Sequence, residues 1–392
     1  MDFQLTDDQR ALRAGMRELL ERRFPRTRLR TVIDGDAERD DGSGERGNGG
    51  GERGNGGGER GKGGGERGDG DAARGDGGRE RGNGGGGLDR GLWRELGEAG
   101  LFALRVPESA GGVGLGLPEA VLAFEEAGRA LLPGPLVATE LAAGLCATGL
   151  CAMGSFESGR AGSLAAGVAQ GEAVVTALDG GGAPVEHLAS ADSVLALGPT
   201  AVELIPAEEV ARSTEPIRSV DPATPLHRRA PSRTRPEQAG PGRSGIAVRL
   251  RREAALLTAA QQLGSACRTV ELAVDHAKRR TQFGRPIGAF QAVQHLCAQM
   301  LVRAESARSV VYAAAVTEDP GDIAAAKLLA DEAAVHNARD CLQVHGGMGF
   351  TWEADVHLHL KRAWVRAGQW QSAAAAEEEL AAGLVSTVET CL

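Results

Sequence analysis

Two short stretches of the sequence combine residue types that suit a phosphate-bearing ligand. The first begins at Arg280 and reads Arg-Thr-Gln-Phe-Gly-Arg-Pro-Ile-Gly-Ala-Phe-Gln-Ala-Val-Gln-His. It places a guanidinium and side-chain amides around a Gly-Pro-Gly turn that leads into the next predicted helix. Donors of this kind at a helix N-terminus suit a phosphate diester or a pyrophosphate. The alternative, from the residues alone, is a helix C-terminus whose arginines complement the helix dipole before a proline stop.

The second stretch begins at Gln343 and reads Gln-Val-His-Gly-Gly-Met-Gly-Phe-Thr-Trp-Glu. Glycine at three of four successive positions lets a ligand approach the backbone closely, because no Cβ stands in the way. The same pattern also ends many helices, where glycine takes the left-handed conformation. Taken alone, this motif leaves both interpretations open.

Helices must position both stretches, because apolar residues recur at helical spacing on either side of them. Thr6 and Gln9 are spaced as a capping box at the start of the first predicted helix. The helices predicted before residue 160 lie over 6–24, 88–100, 117–131 and 136–160. From 253 to 390 the apolar spacing predicts several long helices with short connections, which is typical of a bundle.

The pattern changes between about 164 and 250, where short apolar runs predict strands. Glycine or proline separates these runs, which cover 173–178, 193–197, 201–205 and 245–248. Residues 225–244 read as irregular, either a solvated loop or a basic contact patch. We therefore predict a mostly α, α+β fold with an N-terminal helical domain over 1–160, a small β domain over 161–250 and a helical bundle over 251–392.

A glycine-rich segment over about 40–87 interrupts the N-terminal helices. Residues 42–87 hold 24 of the 58 glycines, so the glycine excess is local. The unit Glu-Arg-Gly-Asn-Gly-Gly-Gly repeats from Glu45 without any apolar position, which excludes a coiled coil. This composition predicts a flexible loop or linker. Glutamates offset the arginines and aromatics are absent, which disfavours RNA binding by this segment.

The overall composition narrows the class of protein. A net charge of −9 disfavours nucleic acid and anionic membranes as partners. The six cysteines form no Cys-x-x-Cys pair, most lie in apolar helical stretches as buried free thiols do, and no metal site is predicted. No apolar run reaches the ~18 residues of a membrane span, and the N-terminus lacks a signal-peptide pattern. We therefore expect a cytoplasmic protein with reduced thiols and no membrane span.

In this order, and about 60 residues apart, the two stretches resemble the C-terminal half of the acyl-CoA dehydrogenase family. That half typically reads Arg-x-Gln-Phe-Gly-x-Pro-Ile-x-x-Phe-Gln and then Gln-x-x-Gly-Gly-x-Gly-Phe-Thr-x-Glu. Segments beginning at Trp93, Val106 and Glu125 are similar to the early helices of the family. The resemblance covers the chain except 40–87 and parts of 180–245. It implies an N-terminal helical domain, a shortened β-barrel domain and a C-terminal four-helix bundle.

The resemblance also implies a reaction and a cofactor. Family members remove the α-proton of an acyl-CoA thioester with a carboxylate base and pass the β-hydrogen as hydride to FAD. FAD lies between subunits, with the position of Arg280 at the pyrophosphate of the neighbouring subunit's flavin and the loop 343–347 near the adenosine. The cofactor-binding residues that the resemblance implies are Arg280, Gln282, Phe283, Gln291, Gln343, Gly346 and Gly347. Electron-transfer flavoprotein is the implied electron acceptor.

The sequence departs from the family pattern where the base is expected. Many members carry the base in a Glu-Gly-Thr loop, but residues 363–374 contain no carboxylate, and ungapped counting puts Gln371 at that position. Glu377–379 read as a solvated helix face. Other members place the base near the start of the helix that ends at the pyrophosphate arginine. Glu253 lies one residue from that position, about 100° around a helix, so it is either an unusual base or an ordinary first-turn glutamate. No catalytic residue is assigned.

The segment that covers the flavin in the family is also altered. The segment most similar to it begins at Thr176 and reads Thr-Ala-Leu-Asp-Gly-Gly-Gly-Ala-Pro-Val. No tryptophan occurs between Trp93 and Trp352. This chain's own half of the flavin site therefore reads as degenerate, whereas the half offered to a neighbour is intact. We predict a half-site subunit of a heteromer with a second dehydrogenase-like chain, in acyl-CoA or steroid side-chain oxidation. The alternatives are a self-sufficient homo-oligomer with Glu253 as base, and a non-catalytic binding or regulatory protein on the same scaffold.

Overall fold

The computed structural model describes residues 4–40, 88–149, 152–153, 164, 166–179, 182–198, 202–229 and 245–391. Most of the glycine-rich segment and residues 230–244 of the irregular stretch lie outside the described residues. None of the described helices is long and apolar enough to cross a membrane.

The N-terminal part is helical, as predicted. Its helices are α1 (Asp7–Arg23), α2 (Arg26–Asp40), α3 (Arg90–Glu98), α4 (Leu117–Arg129) and α5 (Leu136–Thr148). Thr6 and Gln9 form the predicted capping box before α1, with both reciprocal hydrogen bonds present. The helix predicted up to 160 ends at Thr148, because Gly149 takes a φ of +67° at the C-cap.

Two small sheets follow. Their strands are β1 (Ala152–Met153), β2 (Val175–Asp179), β3 (Val185–Glu186), β4 (Ser193–Leu197), β5 (Val202–Pro206), β6 (Thr214–Ile217) and β7 (Leu226–Arg229), with the short helix α6 (Ala207–Ala211) after β5. The first sheet has the order β1-β5-β4-β2, in which only the central pair is antiparallel. The second sheet, β3-β7-β6, is antiparallel throughout. The strand β7 falls at the start of the stretch that was predicted to be irregular.

Residues 245–248 are helical, so the strand predicted there is wrong. They form the first turn of the 35-residue helix α7 (Gly245–Arg279). Ala247, Leu250 and Ala254 are buried on one face of α7, at helical spacing. A short apolar run does not distinguish a strand from a buried helix segment, and the helix forms because its apolar face continues beyond the run.

The C-terminal part is the predicted helical bundle. The hairpin of β8 (Thr281–Gln282) and β9 (Arg285–Pro286) leads from α7 to α8 (Gln291–Thr317), and α9 (Pro320–His345), α10 (Val356–Ala367) and α11 (Ala373–Cys391) follow. Helix α7 packs against α4, α8 and α9, so it joins the N-terminal helices to the bundle. The mostly α fold with a small amount of sheet is therefore confirmed.

Helices α4 and α7 cross in direct backbone contact. A Cβ added to Gly264 would lie 1.8 Å from the backbone oxygen of Glu125, and one added to Gly128 would lie 2.0 Å from the backbone oxygen of Gln261. Each glycine therefore creates the space that the other helix occupies.

We expect Gly264→Ala to lower the free energy of unfolding by about 1–3 kcal/mol, because the added methyl group forces the two helices apart. Gly144→Ala is the matched control, since Gly144 is also helical but nothing lies within 4 Å of its added Cβ. The control gains helix propensity and should be neutral or stabilising, by up to about 1 kcal/mol. Urea unfolding of both variants measures the difference, and equal midpoints would contradict the close crossing.

Candidate cofactor site

The two sequence motifs meet at one end of the bundle. His276 in the last turn of α7 and His345 at the end of α9 stack their rings with centroids 4.1 Å apart. The backbone N–H of Arg280 donates to the oxygen of His276 at 2.9 Å, and the 3₁₀ helix Gly346–Phe350 directly follows His345. Partial burial, together with the positive charges of His345 and Arg280, lowers the pKa of His276. The fold therefore brings the arginine and the glycine loop together.

The β8–β9 hairpin projects an aromatic side chain from this end of the bundle. Phe283 is 91% exposed at the tip and takes a φ of +53°, followed by Gly284 at +76°. Its ring meets Phe290 edge-on at 6.1 Å, and the guanidinium of Arg285 lies 4.3 Å from the Phe290 centroid. The large side chains of Met348 and Phe350 are also exposed on the glycine loop. Several exposed apolar side chains in one region indicate a surface that contacts another molecule.

The other sequence-predicted residues are also exposed here. Gln282, Gln291 and Gln343 are all exposed, and a Cβ built on Gly346 or Gly347 meets nothing within 4 Å. Within the described part of the chain, the guanidinium of Arg280 forms no hydrogen bond or ion pair. This end of the bundle thus offers a free cation, side-chain amides and open backbone.

Glu253 lies in a different region, within a buried ion network. Arg105 donates to Glu253 at 2.9 Å and to both carboxylate oxygens of Glu140 at 2.6 and 2.9 Å. Arg249, one turn earlier on α7, pairs with the other oxygen of Glu253 at 3.2 Å. The expectation of a first-turn glutamate is wrong, because α7 begins at Gly245. Two guanidinium groups hold the Glu253 carboxylate.

The loop between α10 and α11 supplies amides instead of a carboxylate. Gln369 donates to Glu186 on β3 at 2.9 Å, and burial raises the pKa of Glu186. Gln371 donates to Glu379 at 2.9 Å, and the other oxygen of Glu379 accepts from Arg252 at 2.9 Å. Glu379 is therefore half-buried and paired, which corrects its interpretation as part of a solvated face.

A buried ion pair connects α10 to the segment between β6 and β7. Arg362 donates to Asp221 and to the backbone oxygens of Leu131 and Leu132. Burial opposes ionisation of Asp221, but the charge of Arg362 and the hydroxyl of Thr224 outweigh it and lower the pKa of this carboxyl. The pair holds the second sheet against the helices.

Two small cavities lie between the sheets and α10 among the described residues. A cavity lined by Glu186, Arg362, Arg366 and Gln369 measures about 10 Å³, and one lined by Glu186, Gln369 and Trp370 measures about 30 Å³. Cavities of this size hold on the order of one or two water molecules. Sites for organic ligands measure about 300–1,000 Å³.

Comparison with known proteins gives the family. A model described as the acyl-CoA dehydrogenase N-terminal domain matches residues 80–161, and one described as the C-terminal domain matches 246–368. Acyl-CoA dehydrogenase IpdE2 of Mycobacterium tuberculosis is 37% identical over 280 residues, which cover 71% of this chain and 81% of the relative. The chain belongs to the acyl-CoA dehydrogenase family. Members are FAD-dependent oxidoreductases, so the predicted enzyme class and cofactor are confirmed.

Solved structures share the fold of this acyl-CoA dehydrogenase. A variant of the Tcur3481–Tcur3483 steroid ACAD matches with a TM-score of 0.70 and 22% identity, over 98% of this chain and 99% of that one. The ChsE4–ChsE5 complex from Mycobacterium tuberculosis matches with a TM-score of 0.67 and 22% identity, over the same shares of the two chains.

The residues at the end of the bundle fit FAD. A diphosphate is bound by guanidinium groups and N–H donors, and the Arg280 guanidinium is exposed and unpaired among the described residues. The open backbone at Gly346 and Gly347 allows close approach of a nucleotide. These groups are therefore of the chemical type that binds a diphosphate.

Some features of this acyl-CoA dehydrogenase were missed in the sequence. His276 and His345 each lie beside a recognised motif, and this position is the only feature of the sequence that points to their contact. No sequence pattern indicates the partners of Glu186 and Arg362, because those partners are distant in the chain and their burial depends on tertiary packing.

Proposed function

We propose that this chain is one subunit of a heteromeric acyl-CoA dehydrogenase that oxidises the α,β bond of an acyl-CoA thioester. It contributes Arg280, the β8–β9 hairpin and the loop 343–347 to an FAD whose isoalloxazine ring is held by a second dehydrogenase-like chain. A base on that second chain removes the α-proton of the substrate. The bound FAD supplies the acceptor for the β-hydride, and electron-transfer flavoprotein is the electron acceptor we propose.

The asymmetry between the two halves of the chain carries this proposal. The end of the bundle that carries the two motifs presents an exposed Phe283 and an Arg280 whose guanidinium has no partner among the described residues. On the chain's own side, the cavities at Glu186 measure about 10 and 30 Å³, and the adjoining loop offers Gln369 and Gln371 where a carboxylate base is required. These observations support a chain that contributes to a flavin site from the Arg280 end and leaves the ring-binding part to a second chain.

The names of two matched structures support a second subunit and a substrate class. One is the ChsE4–ChsE5 complex, and the other is the Tcur3481–Tcur3483 steroid ACAD. We propose an acyl-CoA whose acyl group is a fatty or steroid side chain. The experiment is a flavin count and a turnover assay on this chain, purified alone and together with the complementary chain. Full flavin occupancy and turnover by the chain alone would overturn the proposal.

The homo-oligomeric alternative requires a base within this chain. Glu253 is the sequence candidate, but Arg105 and Arg249 already neutralise its carboxylate. Both carboxylate oxygens of Glu253 are therefore already engaged by guanidinium groups. The geometry therefore favours the heteromer.

In the assembled complex, Glu253→Gln should leave kcat for the acyl-CoA nearly unchanged, because the proposed base belongs to the partner. The amide keeps an acceptor for Arg105, and Glu140 keeps the charge of Arg105 paired. Glu377→Gln, a charge-matched change at an exposed position, is the control. A general base contributes about 10²–10⁴-fold, so a loss of that size in Glu253→Gln alone would identify Glu253 as the base.

A further inference from the structure

We propose that a cavity between α1, α2, α4, α7 and α10 binds a monocarboxylate amphiphile such as a medium-chain fatty acid. We name it the arginine cavity. It measures about 330 Å³, which lies in the range of small-molecule sites. Its charged lining residues are Arg17, Arg26, Arg129, Arg268, Glu21, Glu126 and Asp355. None of these residues belongs to the proposed FAD site or to the ion network of Glu253.

The backbone crossing of α4 and α7 separates the arginine cavity from the side of the chain that faces the sheets. Gly264 and Gly128 leave no room between the two helices. Arg268 lies one turn beyond Gly264 on α7, whereas Glu253 lies three turns before it. A ligand in the arginine cavity therefore cannot extend into the region of Glu253 without moving the helices.

The interior of the arginine cavity is apolar. Leu20, Phe24, Leu29 and Leu131 are buried side chains in its wall, and Leu272 is half-buried. These side chains belong to α1, α2, α7 and the end of α4. Transfer of a hydrocarbon chain from water onto such a surface is favourable in proportion to the area buried.

The charges around the cavity favour a single negative charge on the ligand. Four arginines and three carboxylates line it, which leaves one surplus positive charge. Arg17 pairs with Glu126 at 2.6 Å. Behind the wall, Glu271 pairs with both Arg129 and Arg268, and Asp355 is shared by Arg26 and the outer Arg30, so each lining arginine has a carboxylate partner and the surplus is spread over the group. Glu271 and Arg30 carry opposite charges, so including them leaves the net charge of the cavity at one positive charge. A single carboxylate neutralises this charge, whereas a doubly charged phosphate monoester makes the occupied cavity negative.

His359 adds a fixed, uncharged polar group to the wall. Its Nδ1 lies 2.8 Å from the hydroxyl of Ser265. Burial, together with the nearby Arg268 and Arg362, lowers the pKa of His359 to about 3, so the ring is neutral near pH 7. The surplus charge of the cavity therefore comes from guanidinium groups and stays constant over the physiological range.

Calorimetric titration of the full-length chain with octanoate tests the proposal. We expect saturable one-to-one binding with a Kd on the order of 1–6 mM, the affinity that an ordinary ligand efficiency gives for octanoate. Octanol, which lacks the charge, and octyl phosphate, which carries more, should each bind at least about tenfold more weakly. Equal binding of octanoate and octanol, or no saturable binding of octanoate, would overturn the proposal.

Two variants locate the binding. Arg268→Gln removes the surplus charge and should weaken octanoate about tenfold, whereas Arg22→Gln, on α1 but outside the cavity, should not. Leu272→Trp fills the cavity from its rim without changing any charge, and it should abolish binding while the melting temperature confirms folding. Unchanged octanoate affinity in folded Arg268→Gln and Leu272→Trp would place the ligand elsewhere and end the assignment.

Discussion

Purified alone, this chain is expected to carry little FAD and to show negligible dehydrogenation, whereas its complex with the right partner should hold about one FAD per pair of chains. The physical reason is the mismatch between its two halves. In the proposed arrangement, Arg280 and the open glycine loop contact a cofactor across an interface, whereas the cavities at Glu186 measure only about 10 and 30 Å³. A homodimer would contain two copies of the Arg280 region but no complete site for the isoalloxazine ring.

Flavin absorbance per mole of protein, measured on the chain, on the partner and on the co-purified complex, gives the stoichiometry. The partner purified alone is the control, since it should bind FAD weakly without the guanidinium supplied by Arg280. Full occupancy in a homo-oligomer, with turnover that Glu253→Gln abolishes, would replace the heteromer with a self-sufficient enzyme. A stable complex without flavin would support a binding or regulatory role.

Replacing Arg280 with alanine should weaken FAD binding by the assembled complex about tenfold to a hundredfold. A charge-assisted hydrogen bond to a phosphate contributes roughly 1.5–3 kcal/mol. Because the Arg280 guanidinium is exposed and unpaired among the described residues, its removal should change the free energy of unfolding little. Equilibrium dialysis or flavin fluorescence measures the affinity, and urea unfolding measures the stability.

The neighbouring arginine provides a matched control. Arg279 donates to the backbone oxygen of Asp275 at 3.1 Å, so it already serves the end of α7. Arg279→Ala should therefore keep its FAD affinity. If Arg280→Ala retains flavin as well as Arg279→Ala does, Arg280 is only a helix-terminal residue and the cofactor assignment is withdrawn.

Features that depend on residues close together in the sequence could be predicted from it. The capping box of Thr6 and Gln9 and the bundle of long helices are confirmed, because capping and apolar periodicity act over a few residues. The same holds for the family and its cofactor, since the two motifs are continuous stretches of sequence. The roles of Arg280, Gln282, Phe283, Gln291, Gln343, Gly346 and Gly347 stay predictions.

Tertiary structure decided everything that depends on partners distant in the chain. Residues 245–248 became helix because their apolar face continues along α7, and Glu253 became part of an ion network because Arg105 lies beside it. Glu379 is paired through Arg252, and His276 meets His345 only when α7 and α9 are packed. The arginine cavity likewise exists only where five helices surround a common space. Burial and charge pairing arise from packing between distant segments, so no local pattern in the sequence encodes them.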